Sequence, residues 1–196
     1  TCVLKDGTQT ITGNIPMSAF KFTGLGAGSA AGDSLRYEQR YTNPLTLGTA
    51  QASTSGVAID FTGIPSGTKR ITVMFVAVST NGTSAFLVQL GDAGGPETSA
   101  YLSTAQEGTT VGGSTAGFLV TQASVASSAY NGAVTLSLEN SSAFTWVSTG
   151  NIGVVSASVH VSNGSKSLSA ELTQVRITTV NGSDTFDAGA INISYE

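Results

Sequence analysis

From residue 45 onward, no window of ten or more residues repeats its apolar side chains at helical spacing. Short runs rich in Val, Ile, Phe and Thr alternate instead with Gly, Ser and Asn, the pattern of strands punctuated by turns. The runs expected as strands are 45–50, 57–62, 69–78, 85–90, 117–123, 133–139, 144–148, 152–161, 168–179 and 190–195. Val134, Leu136 and Leu138 alternate with Thr135, Ser137 and Glu139, as one buried and one wet face require. By the same rule Val155, Ala157, Val159 and Val161 face a core, while Ser156, Ser158, His160 and Ser162 face solvent. The run 71–78 is apolar on both faces and is expected to be a central strand covered on both sides. Turns are expected at Asn81-Gly82, Asn131-Gly132, Asn163-Gly164 and Asn181-Gly182, because both residue types tolerate positive φ. Roughly ten short strands at this spacing predict an all-β chain, an antiparallel β-sandwich that is jelly-roll-like.

The leading segment reads differently. Its large apolar side chains Ile11, Ile15, Met17, Phe20, Phe22 and Leu25 have no second layer to pack on, so they need another surface, either the following domain or further copies of the chain. Asp33 is placed to cap a helix of one or two turns. The Asn43-Pro44 turn divides the chain into residues 1–43 and a β-domain over 44–196. Only 10 % of residues are charged and the net charge is −4, which argues against nucleic acid as a partner, because phosphates call for clustered Lys and Arg. No apolar run approaches the length of a membrane span, so membrane insertion is not expected. Cys2 is the sole cysteine and His160 the sole histidine, so neither an internal disulfide nor a Cys/His metal cluster is expected, and no cofactor is implied.

Three phrases carry a resemblance. Residues 6–17 (Asp-Gly-Thr-Gln-Thr-Ile-Thr-Gly-Asn-Ile-Pro-Met), 20–26 (Phe-Lys-Phe-Thr-Gly-Leu-Gly) and 32–38 (Gly-Asp-Ser-Leu-Arg-Tyr-Glu) together resemble the connector module of bacteriophage tail fibres, with Ser34 where that family commonly has Ala. More loosely, 59–75 followed by 86–92 resembles the C-terminal β-domains that end such fibres. The resemblance implies a connector and trimerisation segment over 1–43 and a receptor-binding tip over 44–196. It further implies a homotrimer joined to an upstream tail-fibre shaft, located on the virion at the fibre tip, and attached to the host through a bacterial surface polysaccharide. No catalytic chemistry is expected; a glycan depolymerase or esterase, and a purely structural trimerisation module, are the alternatives. A low-charge chain rich in Ser, Thr and Gly agrees with life outside the cell.

Candidate binding residues follow from the chemistry of sugars, whose C–H faces stack on aromatic rings and whose hydroxyls bond Asn, Asp and Gln. Tyr101 follows a Gly-rich stretch, and Tyr130 precedes Asn131-Gly132, both near expected turns. Trp146 lies beside a polar loop, but it shares a face with Phe144 under period-2 alternation, which favours the core. Asp92 and Glu97 bracket a glycine loop, and Asp184 and Asp187 bracket Thr185-Phe186; either pair suits a hard cation or acid–base work, or simply a solvated turn. His160, between serines at a position expected to face outward, reads as a surface residue. The stretch 91–117 is poor in apolar residues and is expected to be a long functional loop, making a receptor surface with the 130–132 and 163–166 turns.

Overall fold

A computed structural model of the chain describes residues 45–126 and 128–196; the connector reading of 1–43 lies outside them. Among the described residues there is no helix, and fourteen strands form two antiparallel sheets packed face to face, a β-sandwich. The larger sheet runs in the order β1 (Thr46–Leu47), β14 (Phe186–Tyr195), β4 (Arg70–Thr80), β10 (Tyr130–Asn140), β11 (Thr145–Val154), β12 (Ser158–Ser167), β7 (Leu102–Glu107) and β8 (Thr110–Ser114), with β2 (Gln51–Ala52) also on β14. The smaller runs β3 (Ala58–Thr62), β13 (Gln174–Thr179), β5 (Phe86–Asp92) and β6 (Gly95–Pro96), with β9 (Phe118–Leu119) also on β5.

The core forms where the alternating patterns of both sheets meet. Ile71, Val73 and Phe75 of β4, with Val134 and Leu136 of β10, face Phe86, Val88 and Leu90 of β5 and Val175 and Ile177 of β13. Phe86 sits edge-on to Tyr130 with ring centroids 5.1 Å apart, a favoured aromatic geometry. The doubly covered strand is β5, not β4. Leu87, on the other face of β5, packs on Ala105 and Leu119, whereas Val76 of β4 is 61 % exposed. Segment 116–119 and β7 fold over β5; no described layer lies over the outer face of β4.

Three sequence expectations are corrected here. The run 152–161 is not one strand: it turns at 155–157 between β11 and β12, and Ser156 takes φ +58. Register then inverts the expected faces. Ile152 pairs with His160 and Trp146 with Lys166, so burying Trp146 and Ile152 carries His160, Ser162 and Lys166 inward, while Val159 and Val161 point out. Second, none of the four Asn-Gly pairs closes a hairpin. Asn81-Gly82 and Asn181-Gly182 lie where the chain crosses between sheets, and the other two lie inside β10 and β12. Asn131 and Gly132 serve a β-bulge instead: Ala77, at φ +52, is the extra residue of β4, and its N–H donates to Asn131 Oδ1 at 2.9 Å. Third, the stretch 91–117 is largely strand. β7 and β8 form a hairpin closed by Gly108-Thr109, with Gly108 at φ +57.

Candidate functional site

The β7–β8 hairpin pairs with β12, so two segments far apart in the chain converge on the outer face of the larger sheet. Between them lies a trough of about 770 Å³. Asn163 and Ser165 of β12, Leu102 and Thr104 of β7, and Gly113 and Thr115 on the β8 side form its walls. Gly113, on the trough side, carries no side chain and leaves the wall low. Gly164 shares the inward face of β12, where a Cβ would lie 2.5 Å from the Leu102 carbonyl oxygen and 2.8 Å from the buried Phe118 ring. Leu102 is 73 % exposed and offers an apolar patch among hydroxyls and an amide.

The lining holds one titratable group, Tyr101, and it is spent elsewhere. The ring is fully buried, edge-on to Phe118 at 5.0 Å. Its hydroxyl lies 2.7 Å from Leu90 N and 3.0 Å from Glu97 O, and burial pushes its pKa far above the usual phenol value. The trough can therefore exchange neutral hydrogen bonds with a polyhydroxylated ligand, but it presents no acid or base.

Behind β12, on its core side, the acids expected as a pair do come together. Ser169 Oγ lies 2.7 Å from Asp92 Oδ2 and 2.8 Å from Glu97 Oε1, so its one hydrogen is shared by two carboxylates. The Ser169 N–H donates to Glu97 Oε1 at 2.7 Å, and the nearly buried Lys166 ammonium pairs with Glu97 Oε2 while standing 5.3 Å above the Tyr101 ring. The Ser169 hydroxyl and then the Gly94 N–H hold Asp92 below its ordinary pKa. Burial pushes Glu97 up, but Lys166 and the Ser169 donors outweigh it and hold the carboxyl below its usual range. With both acids ionised and engaged, the cluster anchors β12 to the 92–97 and 168–171 segments. Asp184 and Asp187 do not converge in this way. Asp184 accepts from Asn181 Nδ2 and Ser84 N, and Asp187 accepts from Ser79 Oγ.

The remaining candidates are structural. Tyr130 is buried and its hydroxyl accepts from Val125 N at 2.9 Å, which with the Phe86 contact removes its ring from any ligand. Asn131 holds the bulge described above. Among the described residues every aromatic ring is buried except the half-buried Phe144 and Tyr195, neither of which lines the trough. His160, expected on the surface, is 1 % exposed. Its Nδ1 accepts from Gln122 N at 3.2 Å, and its Nε2 lies 3.3 Å from Ser158 Oγ and 3.8 Å from Glu107 Oε1. Burial lowers its pKa and Glu107 only partly opposes this. A folded-state pKa below the unfolded value near 6.5 leaves stability flat above that pH. Below it the unfolded chain takes the proton more readily, so stability falls until the folded-state pKa is passed. Denaturant midpoints compared at pH 8 and pH 5 should show that loss, and His160→Gln should flatten it; equal slopes in both proteins would remove His160 as the cause.

Trp146, 2 % exposed, lines a second, smaller cavity of about 100 Å³ with Leu138, Phe144 and Leu172, and the exposed Ser141 and Glu171 stand at its rim. Its Nε1–H is one of two buried side-chain polar atoms among the described residues with no partner, the other being Ser162 Oγ. An unsatisfied buried donor costs about 1–3 kcal/mol. Sequence reasoning placed the ring near the core but had no signal for the orphaned N–H. No protein-family model, curated protein or solved structure matches the chain.

Proposed function

We propose that this chain is the distal part of a bacteriophage tail fibre, a non-enzymatic attachment domain that binds a bacterial surface polysaccharide through the trough between β12 and the β7–β8 hairpin. The observation that carries the reading is the lining: neutral hydroxyl and amide groups from three strands around the exposed Leu102, which suits a ligand of alternating hydroxyls and C–H patches. The valines next to it, Val159 and Val161 of β12 and Val111 of β8, extend the apolar surface that aromatic rings would otherwise supply. The connector-like phrases over residues 6–38 support a homotrimer on a fibre shaft. Each trough alone would bind weakly, and three facing one cell surface would bind with avidity.

The test is binding of the full chain to a panel of purified bacterial capsular and lipopolysaccharide glycans, with light scattering on the same sample. Binding at a mass three times that of the 19.7 kDa chain is expected. Asn163→Ala with Thr104→Val should weaken it on the order of tenfold, as the loss of two neutral hydrogen bonds implies. Release of new reducing ends would establish the depolymerase alternative, and a trimer that binds none of the glycans would favour the structural one.

A further inference from the structure

The register of the larger sheet lines up one outward-facing polar side chain from each of five neighbouring strands. Thr72 of β4 stands opposite Thr135 of β10, Thr135 opposite Thr149 of β11, Thr149 opposite Asn163 of β12, and Asn163 opposite Thr104 of β7. Their chain neighbours Ile71, Val73, Val134, Leu136, Ser148 and Ser103 are buried, so alternation turns these five to the outer face, where all are exposed or half-buried. None of their hydroxyl or amide groups hydrogen-bonds another described residue. The rows on either side are partly apolar, with Met74, Ala133 and Val161 along one flank and Val147 and Leu102 along the other. Arg70, at one corner, is the single charged side chain in these rows, and Glu196 pairs with it. From this arrangement we infer that the row is a binding track for a neutral polysaccharide, which lies across the strands and is recognised by its internal sugars, the trough forming one end of the track. The row spans about 19 Å at a strand spacing of about 4.8 Å, close to the advance of one sugar along an extended chain. Free threonine hydroxyls both donate and accept, as sugar hydroxyls do, and the apolar flanks meet ring C–H groups. The lack of an unpaired charge suits an uncharged ligand. A protein partner would have to match each of these regularly spaced polar groups separately, whereas a repeating polymer matches them by its own period. The inference rests on the polysaccharide-binding reading above and adds the length, direction and charge class of the ligand.

The full chain is titrated with the neutral and the uronic-acid-containing glycans of the panel, then with fragments of graded length cut from each glycan that binds. Affinity should rise with fragment length up to about five sugars and then level off, and uronic-acid glycans should bind far more weakly than neutral ones. Thr135→Val with Thr149→Val removes two hydroxyls at positions that do not line the trough and keeps the side-chain shape in both strands. This pair should weaken long fragments on the order of tenfold and leave disaccharides unchanged. Thr149→Lys, at the exposed centre of the row, should block long fragments without changing the mass of the assembly. Equal affinity for disaccharides and long fragments overturns the inference, as does binding of uronic-acid glycans as tight as that of neutral ones. A fall in mass with Thr149→Lys also overturns it, because the face would then serve contacts between copies of the chain. The trough reading fails separately. Long-fragment binding weakened by Asn163→Ala with Thr104→Val, but not by Thr135→Val with Thr149→Val, leaves the trough standing and removes the track. A panel in which no glycan binds removes both.

Discussion

Gly132→Ala is expected to destabilise the domain by about 3 kcal/mol or more, and Gly164→Ala by about 3 kcal/mol, while Gly182→Ala should cost only about 1 kcal/mol. All three glycines follow an asparagine, and a reading from local sequence treats them alike, as turn residues. The structure separates them. Gly132 sits at φ +145 at the β4 bulge, where a Cβ would meet the Asn151 carbonyl oxygen at 2.2 Å and Ile152 Cα at 3.0 Å, so strain and backbone overlap add. Gly164 lies inside β12, where a Cβ would press on the Leu102 carbonyl oxygen and the Phe118 ring, both held by sheet pairing. Gly182 also has a positive φ, of +64, but nothing lies within 4 Å of its Cβ direction, so alanine there meets only the left-handed penalty. Against a typical total of about 5–15 kcal/mol, the first two changes are severe. Chemical denaturation of the three variants decides the matter: three equal losses would mean that these glycines serve turns, and that the bulge and the strand crossing have been misassigned.

The fold was legible where side chains alternate strongly and pack on large neighbours. Val134 and Leu136, or Ile59 and Phe61, announce an inward face from their own order, and those strands form where expected. The β7–β8 hairpin was illegible because its inward residues, Ser103, Ala105, Gly112 and Ser114, are small and barely apolar. They fit there because β9 lies close against them, with Leu119 N donating to Ser103 Oγ at 2.8 Å. In β12 the local pattern pointed the wrong way. Its faces are set by pairing with β11, where Trp146 and Ile152 claim the interior, and its inward His160 and Lys166 are tolerated because Glu97, the Tyr101 ring, Gln122 and Ser158 satisfy them, whereas Ser162 Oγ is left without a partner. The trough follows the same logic. Residues 102–104, 113–115 and 163–165 fall within the stretches 91–117 and 163–166 that composition singled out as a receptor surface, but they are strands rather than a loop and a turn, and the pairing of β7 with β12 is what brings them to one surface, without 130–132. Tyr101, Tyr130 and Trp146 were singled out for being aromatic near loops, yet in a sandwich with few large side chains the aromatics are what fill the interior.

The pair beneath the trough makes the other large effect. Glu97→Gln should destabilise by about 3 kcal/mol, Lys166→Met by about 1–2 kcal/mol, and the double variant by less than Glu97→Gln alone. The asymmetry follows from burial: the lysine side chain is 4 % exposed and that of Glu97 21 %. Removing the carboxylate strands an ammonium in the interior with only the Tyr101 ring as compensation. Removing the ammonium leaves a carboxylate that reaches water and keeps the Ser169 N–H and hydroxyl as donors. With both charges gone, methionine fills the stem's volume and no charge is left unpaired. Acid should expose the same pair. Because Glu97 titrates below its usual range in the folded state, its contribution is present above the unfolded carboxyl value and is lost as pH falls through the lowered folded one, and Glu97→Gln should lack that loss. Lys166 is also the residue after Ser165, whose side chain lines the trough, so a loosened anchor should weaken glycan binding in Glu97→Gln although the substituted residue faces away from the ligand. Additive losses in the double variant would show that the two side chains act separately, and binding unchanged in Glu97→Gln would free the trough from any dependence on the anchor behind it.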